Sequence, residues 1–320
     1  MSPLRERIEY GLVVTLLSVL RVLPERLIRA IFRIFGALFF VFSFHRRSLA
    51  LRNLKLVFPE KSFRARFRIA WMSFQNMSIF MSESVLITTG RMTAERILAR
   101  IDDSEGFKKY QYIREHSPGG VINLTGHLGN WELLAAYGAV RNFDSVVITR
   151  KSDNRLIDER ILMPIRTRFG HRIVHKRNAM LSLAKELKRG GNVSILIDQK
   201  INEKEGAVVK LLGQDVLAVM SAAALQLRFK SAAVPSFLIK TEKNKYQWLV
   251  LDPVEWTDDG TSKEEQTQKL TQRYQNEIEK IIRAYPEQWF WMHNRFKLMT
   301  AQRARKHKRK ARREKMVHSS

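Results

Sequence analysis

The sequence predicts an α/β protein with a central mixed sheet flanked by helices, preceded by a membrane-associated helical region. Two observations lead to this fold class. From Val121 onward, short apolar runs bounded by turn residues alternate with segments of helical periodicity, which is typical of strands and helices packed on one sheet. Before that point the chain opens with two strongly apolar segments, residues 10–20 and 27–44.

The individual elements follow from the same patterns. Strands are predicted at residues 121–125, 145–149, 172–175, 193–198, 232–240 and 246–256. Helices are predicted at residues 58–92, 131–140, 154–169, 179–188, 220–229 and 264–283. Three regions result: membrane-associated helices at 1–50, an α/β domain at 51–300, and a basic tail at 301–320 expected to be disordered. Sites in α/β sheets collect at the carboxyl ends of strands, so the polar segments 126–130, 150–154 and 198–206 are candidates.

Composition limits the chemistry. The chain has no cysteine, which excludes disulfides, thiolate metal sites and a cysteine nucleophile. Its 57 Lys and Arg against 31 Asp and Glu give a net charge of +26. The tail contributes nine basic residues and Glu314 alone, so the rest of the chain is basic as well. Such a surface favours polyanions: anionic lipid, nucleic acid or an acidic protein.

Neither apolar segment at the N-terminus has both the length and the composition of a clear membrane-spanning helix. Residues 10–20 fall below the roughly 20 apolar residues that a spanning helix needs. Residues 27–44 contain Arg29 and Arg33, which the helical period would turn toward water or lipid head groups. An interfacial helix or marginal anchor is favoured over a cleaved signal peptide, and a pair of buried core helices is the alternative. The arginines that follow favour a cytoplasmic face.

One segment carries a candidate for chemistry, GHLGNWE at residues 126–132, directly after the first strong strand. Gly126 and Gly129 permit close backbone approach. His127 would lie at the strand end and Glu132 in the first turn of the next helix, from where its carboxylate could turn back to the imidazole. The loop has no well-placed nucleophile, since Thr125 lies within the strand. His127 would therefore deprotonate the acceptor's own hydroxyl, in direct transfer without a covalent intermediate.

The chain resembles the lipid A biosynthesis acyltransferases of the lauroyl/myristoyl type. The resemblance rests on GHLGNWE, which is similar to the family's His-x4-acid motif, and on further ordered segments. These segments are LRNLKLVFPE (51–60), ITRKSDNRLID (148–158), ILIDQ (195–199) and PEQWFWMHNRFK (286–297). The resemblance implies transfer of a fatty acyl chain from acyl carrier protein to a hydroxyl of a lipid A precursor, at the cytoplasmic face of the bacterial inner membrane.

Further site residues follow from the resemblance. His127 becomes the general base, Glu132 its orienting partner, and Arg166 or Arg168 the cation of the oxyanion region, with Arg166 preferred. The candidate substrate-binding residues are Asn130, Arg150, Asp198, Gln199 and Arg295. The plain alternatives are a surface arginine for Arg150, a loop-capping pair for Asp198 and Gln199, and a helix-end cap for Arg295. Asn294 and Lys151 depart from residues common in the family, which leaves the acceptor open.

Partners and alternatives complete these expectations. Acyl carrier protein, a lipid acceptor and an anionic membrane surface suit the basic body. No cofactor is expected, and no set of His and acidic residues has metal-site spacing. Two other hypotheses stay open. One keeps the chemistry on another acceptor, such as a phosphatidylinositol mannoside or ornithine lipid. The other is a basic nucleic-acid-binding module, which the charge favours but for which no binding motif is present.

Overall fold

The computed structural model of the protein describes residues 2–143, 145–149, 151–170, 172–175, 179–199, 201, 206–242 and 244–296. The α-helices in these ranges are α1 Pro3–Val22, α2 Glu25–Phe42, α3 Phe44–Val57, α4 Phe63–Thr88, α5 Ala94–Leu98, α6 Ser104–Glu115, α7 Trp131–Val140, α8 Arg155–Ile157, α9 Met163–Thr167, α10 Ala179–Lys188, α11 Ser221–Phe229 and α12 Lys263–Ala284. The strands are β1 Ile101–Asp102, β2 Val121–Thr125, β3 Ser145–Thr149, β4 Arg172–His175, β5 Asn192–Leu196, β6 Gly206–Leu211, β7 Gln214–Val219, β8 Ala232–Lys240 and β9 Tyr246–Val250.

Seven strands form one mixed sheet in the order β1-β9-β8-β2-β5-β3-β4. All neighbours in it are parallel except β8 and β9, which are antiparallel. Helix α10 contacts β3, β4 and β5, α11 contacts β2 and β8, and α12 contacts β8. Helix α6 contacts β9, and α7 contacts β8. The predicted mixed α/β sheet with flanking helices is therefore confirmed.

The sheet core explains why these segments became strands. Val121, Ile122 and Leu124 of β2 are completely buried, as are Val193 of β5 and Ala233 of β8. A parallel sheet covered on both faces needs such continuous apolar runs, because neither face meets water. The strand β2 lies between β5 and β8 in the centre of the sheet, so its carboxyl end opens onto the middle of the sheet edge.

Several elements differ from the sequence prediction. The predicted helix at 154–169 consists of α8, a π-helical turn at Asp158–Leu162 and α9. Pro164 lies in the first turn of α9, and its missing N–H removes one regular helical hydrogen bond, which is consistent with the wider turn before it. The prediction also missed α6 and the separate hairpin of β6 and β7, which are antiparallel.

The N-terminal helices pack on α4 and leave much apolar surface exposed. Gly36 allows α2 to lie close to α4, since a Cβ at this position would be 2.5 Å from the hydroxyl oxygen of Ser78 in α4. Leu20 is the one buried residue of α1, and exposed apolar side chains run along both α1 and α2. No single helix in the described ranges has the length and apolarity to cross a membrane. Helices α2 and α3 together meet both criteria, as a pair bent by 82°.

One expectation for this region was wrong. Arg29 does not face water or head groups but is buried, with ion pairs to Glu25 and Glu83 at 3.0 Å each. Arg96 and Arg100 add two further cations to the Glu25 carboxylate, at 2.5 Å and 2.6 Å. Burial of an arginine requires such partners, because an unpaired charge loses its hydration without compensation. Arg33, by contrast, is exposed.

Candidate active site

The loop that follows β2 is held in place by backbone contacts that only glycine allows. At Gly129, φ is +61° and a Cβ would lie 2.1 Å from the Leu238 carbonyl oxygen of β8. At Gly126, a Cβ would lie 3.0 Å from the carboxyl carbon of Asp198. A side chain at either position would push the loop away from the sheet or displace that carboxylate.

The C-terminal segment fixes the same loop from the other side. Phe290 N donates to the His127 carbonyl oxygen at 3.0 Å, and Gly129 N donates to the Gln288 carbonyl oxygen at 3.1 Å. Trp289 and Trp291 are buried and belong to the core. These bonds give His127 a fixed backbone at the carboxyl edge of the sheet.

The strand register brings an acidic residue to His127 from β5. In the parallel pair of β2 and β5, Thr125 is the register partner of Leu196. His127 and Asp198 each follow two residues later, so both leave the sheet at the same point. His127 N donates to Asp198 Oδ2 at 2.8 Å, and His127 Nδ1 lies 2.9 Å from Asp198 Oδ1.

Asp198 is a buried carboxylate with donors on both oxygens. Trp289 Nε1 donates to its Oδ2 at 3.0 Å, beside the His127 backbone N–H. Burial alone would raise the pKa of Asp198, but the charge and hydrogen bonds of His127, with the Trp289 bond, lower it to about 2. The carboxylate is thus ionised and can only accept, which places the imidazole proton on Nδ1.

The imidazole of His127 has its other nitrogen toward Gln199. Gln199 Nε2 lies 2.8 Å from His127 Nε2, and an amide N–H donates to the unprotonated ring nitrogen. Burial lowers the pKa of His127, but the charge and hydrogen bond of Asp198, with the charge of Glu132, raise it overall above 6.5. Trp131 packs against the ring, with 4.8 Å between centroids.

The structure differs from the expected pairing of His127 with Glu132. Both ring nitrogens are engaged by Asp198 and Gln199, and in the described part of the chain Glu132 has no hydrogen bond to the ring. Glu132 is exposed in the first turn of α7 and lines the same cavity as His127. It acts on the imidazole through its charge alone. The sequence prediction considered Asp198 as a residue that binds the acceptor, buttresses the site or caps a loop. It did not pair Asp198 with His127, because the two residues are 71 positions apart.

Asn130 lies beneath the loop rather than on its surface. It is the N-cap of α7, where its side-chain oxygen accepts from Leu133 N at 3.0 Å and its amide donates to Glu83 Oε2 at 2.5 Å. Glu83 is completely buried in α4 and also accepts from Arg29 and the Tyr246 hydroxyl. Both polar atoms of the Asn130 side chain are therefore committed inside the protein, and through Glu83 they join the loop after β2 to α4 and α2.

A cavity of about 400 Å³ opens beside His127. It runs between α7 and the strands β2, β3 and β5. Most of its wall is apolar, and the residues concerned are Trp131, Leu134, Ala135, Ala136, Val147, Ile148, Ile165, Phe169, Ile173 and Leu196. A concave, mostly apolar site with a few polar groups is the usual form of a small-molecule pocket, and the apolar wall suits a hydrocarbon chain.

Five residues that line this cavity have a buried polar atom without a hydrogen-bond partner among the described residues. The atoms are Arg166 Nη1, Trp248 Nε1 and the hydroxyl oxygens of Tyr110, Thr125 and Thr149. All five can donate, and buried donors are rarely left unpaired without a ligand or water. The sequence prediction included Arg166, but it dismissed Thr125 as a strand residue and did not consider Thr149.

The remaining candidates lie elsewhere. Arg168 lines a second cavity and donates from Nη1 to the Ile87 carbonyl oxygen at 2.9 Å. Arg295 is buried below the site and donates to Gln275 Oε1 at 3.2 Å and to the Leu217 carbonyl oxygen. Burial lowers the pKa of its guanidinium to about 10. Arg150 and the basic tail lie outside the described residues.

Comparison with known proteins assigns the chain to a family. The sequence profile of the bacterial lipid A biosynthesis acyltransferases matches residues 2–298. The chain is also similar to the lipid A biosynthesis lauroyltransferase of Escherichia coli (strain K12), with 25% identity over 266 residues that cover 82% of each protein. A match over nearly the whole chain shows the family, and the protein therefore belongs to the bacterial lipid A biosynthesis acyltransferases.

Proposed function

We propose that this acyltransferase moves a fatty acyl chain from acyl carrier protein to a hydroxyl of a lipid A precursor, with His127 as the general base. The observation that carries the proposal is the His127–Asp198 pair, whose His127 lies on the wall of a mostly apolar cavity. The cavity receives the acyl chain. The basic body of the protein suits acyl carrier protein, which is strongly acidic.

The geometry supports direct transfer. The acceptor hydroxyl takes the place of the Gln199 amide at His127 Nε2 and gives its proton to that nitrogen. Its oxygen then bonds to the thioester carbonyl carbon, the carbon–sulfur bond breaks, and the imidazolium returns the proton to the departing thiolate. Asp198 holds the productive tautomer and stabilises the imidazolium between these two steps.

The unpaired donors on the cavity wall suit the negative charge that develops on the thioester oxygen. Arg166 supplies a cation, and the hydroxyls of Thr125 and Thr149 supply further donors. Donors that are already fixed in a water-poor site stabilise a developing oxyanion without reorganisation. We assign this role to Arg166 rather than Arg168, because only Arg166 shares the cavity with His127.

The N-terminal helices provide the contact with the membrane. Their exposed apolar side chains, together with the basic surface, suit an interfacial position on the anionic cytoplasmic face of the inner membrane. Vesicle flotation checks this: the intact chain should float with anionic vesicles, and a variant with Leu12 and Leu16 changed to Ser should float less. Equal flotation of both proteins would contradict it.

The enzymatic proposal is tested with purified protein, an acyl carrier protein thioester and a lipid A precursor. His127→Ala should abolish product formation while its thermal unfolding stays that of the wild type. His116→Ala, a change to an exposed histidine directly after α6, serves as the matched control and should stay active. Full activity of His127→Ala would refute the mechanism. An unchanged lipid A acyl pattern in a deletion strain would instead point to another lipid acceptor.

A further inference from the structure

A second cavity of about 590 Å³ lies next to the first, between α1, the end of α4 and the helical segment around α9. Ile87 and Ile165 line both cavities, so the two share a wall. Nothing in the mechanism above uses this second cavity.

Its lining is cationic. Arg21, Arg160 and Arg168 line it, and no carboxylate does. Among the described residues, none of the three arginines has an ion pair. A cluster of guanidinium groups repels itself, and without carboxylates it is stabilised by an anionic ligand. Planar guanidinium forks match phosphate oxygens in a bidentate manner.

One of these arginines is held in place by the fold. Arg168 Nη1 donates to the Ile87 carbonyl oxygen, and its guanidinium packs over Gly90. A Cβ at Gly90 would lie 3.2 Å from Arg168 Nη1, and φ there is +78°. The glycine thus leaves room for the cation at the cavity wall.

The remaining wall is apolar and continues onto the exposed face of α1. Val14 and Leu17 line the cavity, and Leu12 and Leu16 on the same helix are 67% and 57% exposed. A site that joins cations to an exposed apolar helix suits an amphiphile with an anionic head group. A free anion would gain nothing from the apolar side.

We propose that the second cavity binds a phosphate group of the glycolipid acceptor. This inference rests on the proposed function. A phosphate held by Arg21, Arg160 and Arg168 would anchor the head group beside α1, and the shared wall at Ile87 and Ile165 would direct the sugar toward the first cavity and His127. The contact would then select phosphorylated acceptors.

The kinetic test uses Arg21→Gln and Arg160→Gln, with Arg26→Gln as control. Arg26 is an exposed arginine of α2 that does not line the cavity. Each cavity variant should raise KM for the phosphorylated lipid A precursor about tenfold, as expected for one charge-assisted contact. KM for the acyl donor and kcat should be unchanged, and the control should match the wild type. A rise in donor KM, or an equal effect of Arg26→Gln, would overturn the proposal.

A second measurement separates this proposal from the enzymatic one. Binding of the precursor in detergent micelles is measured without donor, before and after phosphatase treatment of the lipid. Wild-type protein should bind the phosphorylated form about tenfold more tightly or better, and Arg21→Gln with Arg160→Gln should remove that preference. Equal wild-type binding of both forms would overturn the phosphate site. Phosphate-dependent binding without turnover would uphold the site and refute the acyl transfer.

Discussion

Replacement of Asp198 by Asn tests which carboxylate serves His127. Asp198 Oδ2 accepts from His127 N and Trp289 Nε1, so the single oxygen of an asparagine would keep that position. The amide nitrogen would then face His127 Nδ1, which would have to accept a hydrogen bond. The imidazole proton would move to Nε2, and the ring could no longer take a proton from the acceptor.

The magnitude follows from the geometry. His127 Nδ1 and Asp198 Oδ1 are 2.9 Å apart, which sets the charge centres of the imidazolium and carboxylate about 4 Å apart. At an effective dielectric constant of about 20, their attraction is about 4 kcal/mol, or roughly a thousandfold in rate. In a serine protease, replacement by asparagine of the aspartate that orients the catalytic histidine lowers kcat about 10⁴-fold. Glu132 is exposed, so its charge contributes only about 0.2–1 kcal/mol, less than roughly sixfold.

The assay compares kcat of Asp198→Asn and Glu132→Gln with acyl carrier protein thioester and lipid A precursor, with thermal unfolding as a check on folding. We expect a loss of about a thousandfold for the first variant and less than about sixfold for the second. If Glu132→Gln lost as much activity as His127→Ala while Asp198→Asn kept a tenth or more, Glu132 would be the functional partner and the reasoning from the register would be wrong.

Three further predictions follow from the same contacts. The pKa of His127 is raised above 6.5, and a general base must be neutral, so kcat should fall with decreasing pH through a midpoint above 6.5. In a pH–rate profile, Glu132→Gln should move that midpoint to lower pH, because the variant removes a charge that raises the pKa of His127. An unmoved midpoint would contradict the charge effect. Glu83→Gln breaks a buried ion-pair network, so thermal unfolding should show a loss of roughly 3 kcal/mol, whereas the exposed Glu105→Gln should cost nothing measurable. Gly138 lines the first cavity, and a Cβ there meets nothing within 4 Å. A leucine at this position would fit and take up part of the cavity, so Gly138→Leu should shift the preference toward shorter acyl chains in a competition among acyl carrier protein thioesters. An identical length profile would place the acyl chain elsewhere.

Local patterns predicted most of the fold. The strand β2, the helix α7 and the helix α10 were predicted with the bounds that the structure has, because apolar runs, helical periodicity and flanking glycines act over a few residues. The predicted helix at 154–169 was less accurate, since Pro164 alone does not reveal a π-helical turn. The buried position of Arg29 could not be predicted, because its partner Glu83 lies 54 residues away.

The candidate site shows the same division. A glycine-bounded histidine after a buried strand is a local pattern, and it marked His127 from the sequence. The choice of Asp198 as its partner depends on the parallel register of β2 and β5. That register is set by packing of two strands that are remote in the chain. By itself, the sequence determined an α/β protein with a candidate catalytic histidine at a strand end. Only the tertiary structure decided which carboxylate orients the histidine and which cations surround each cavity, because these contacts join residues that no local pattern connects.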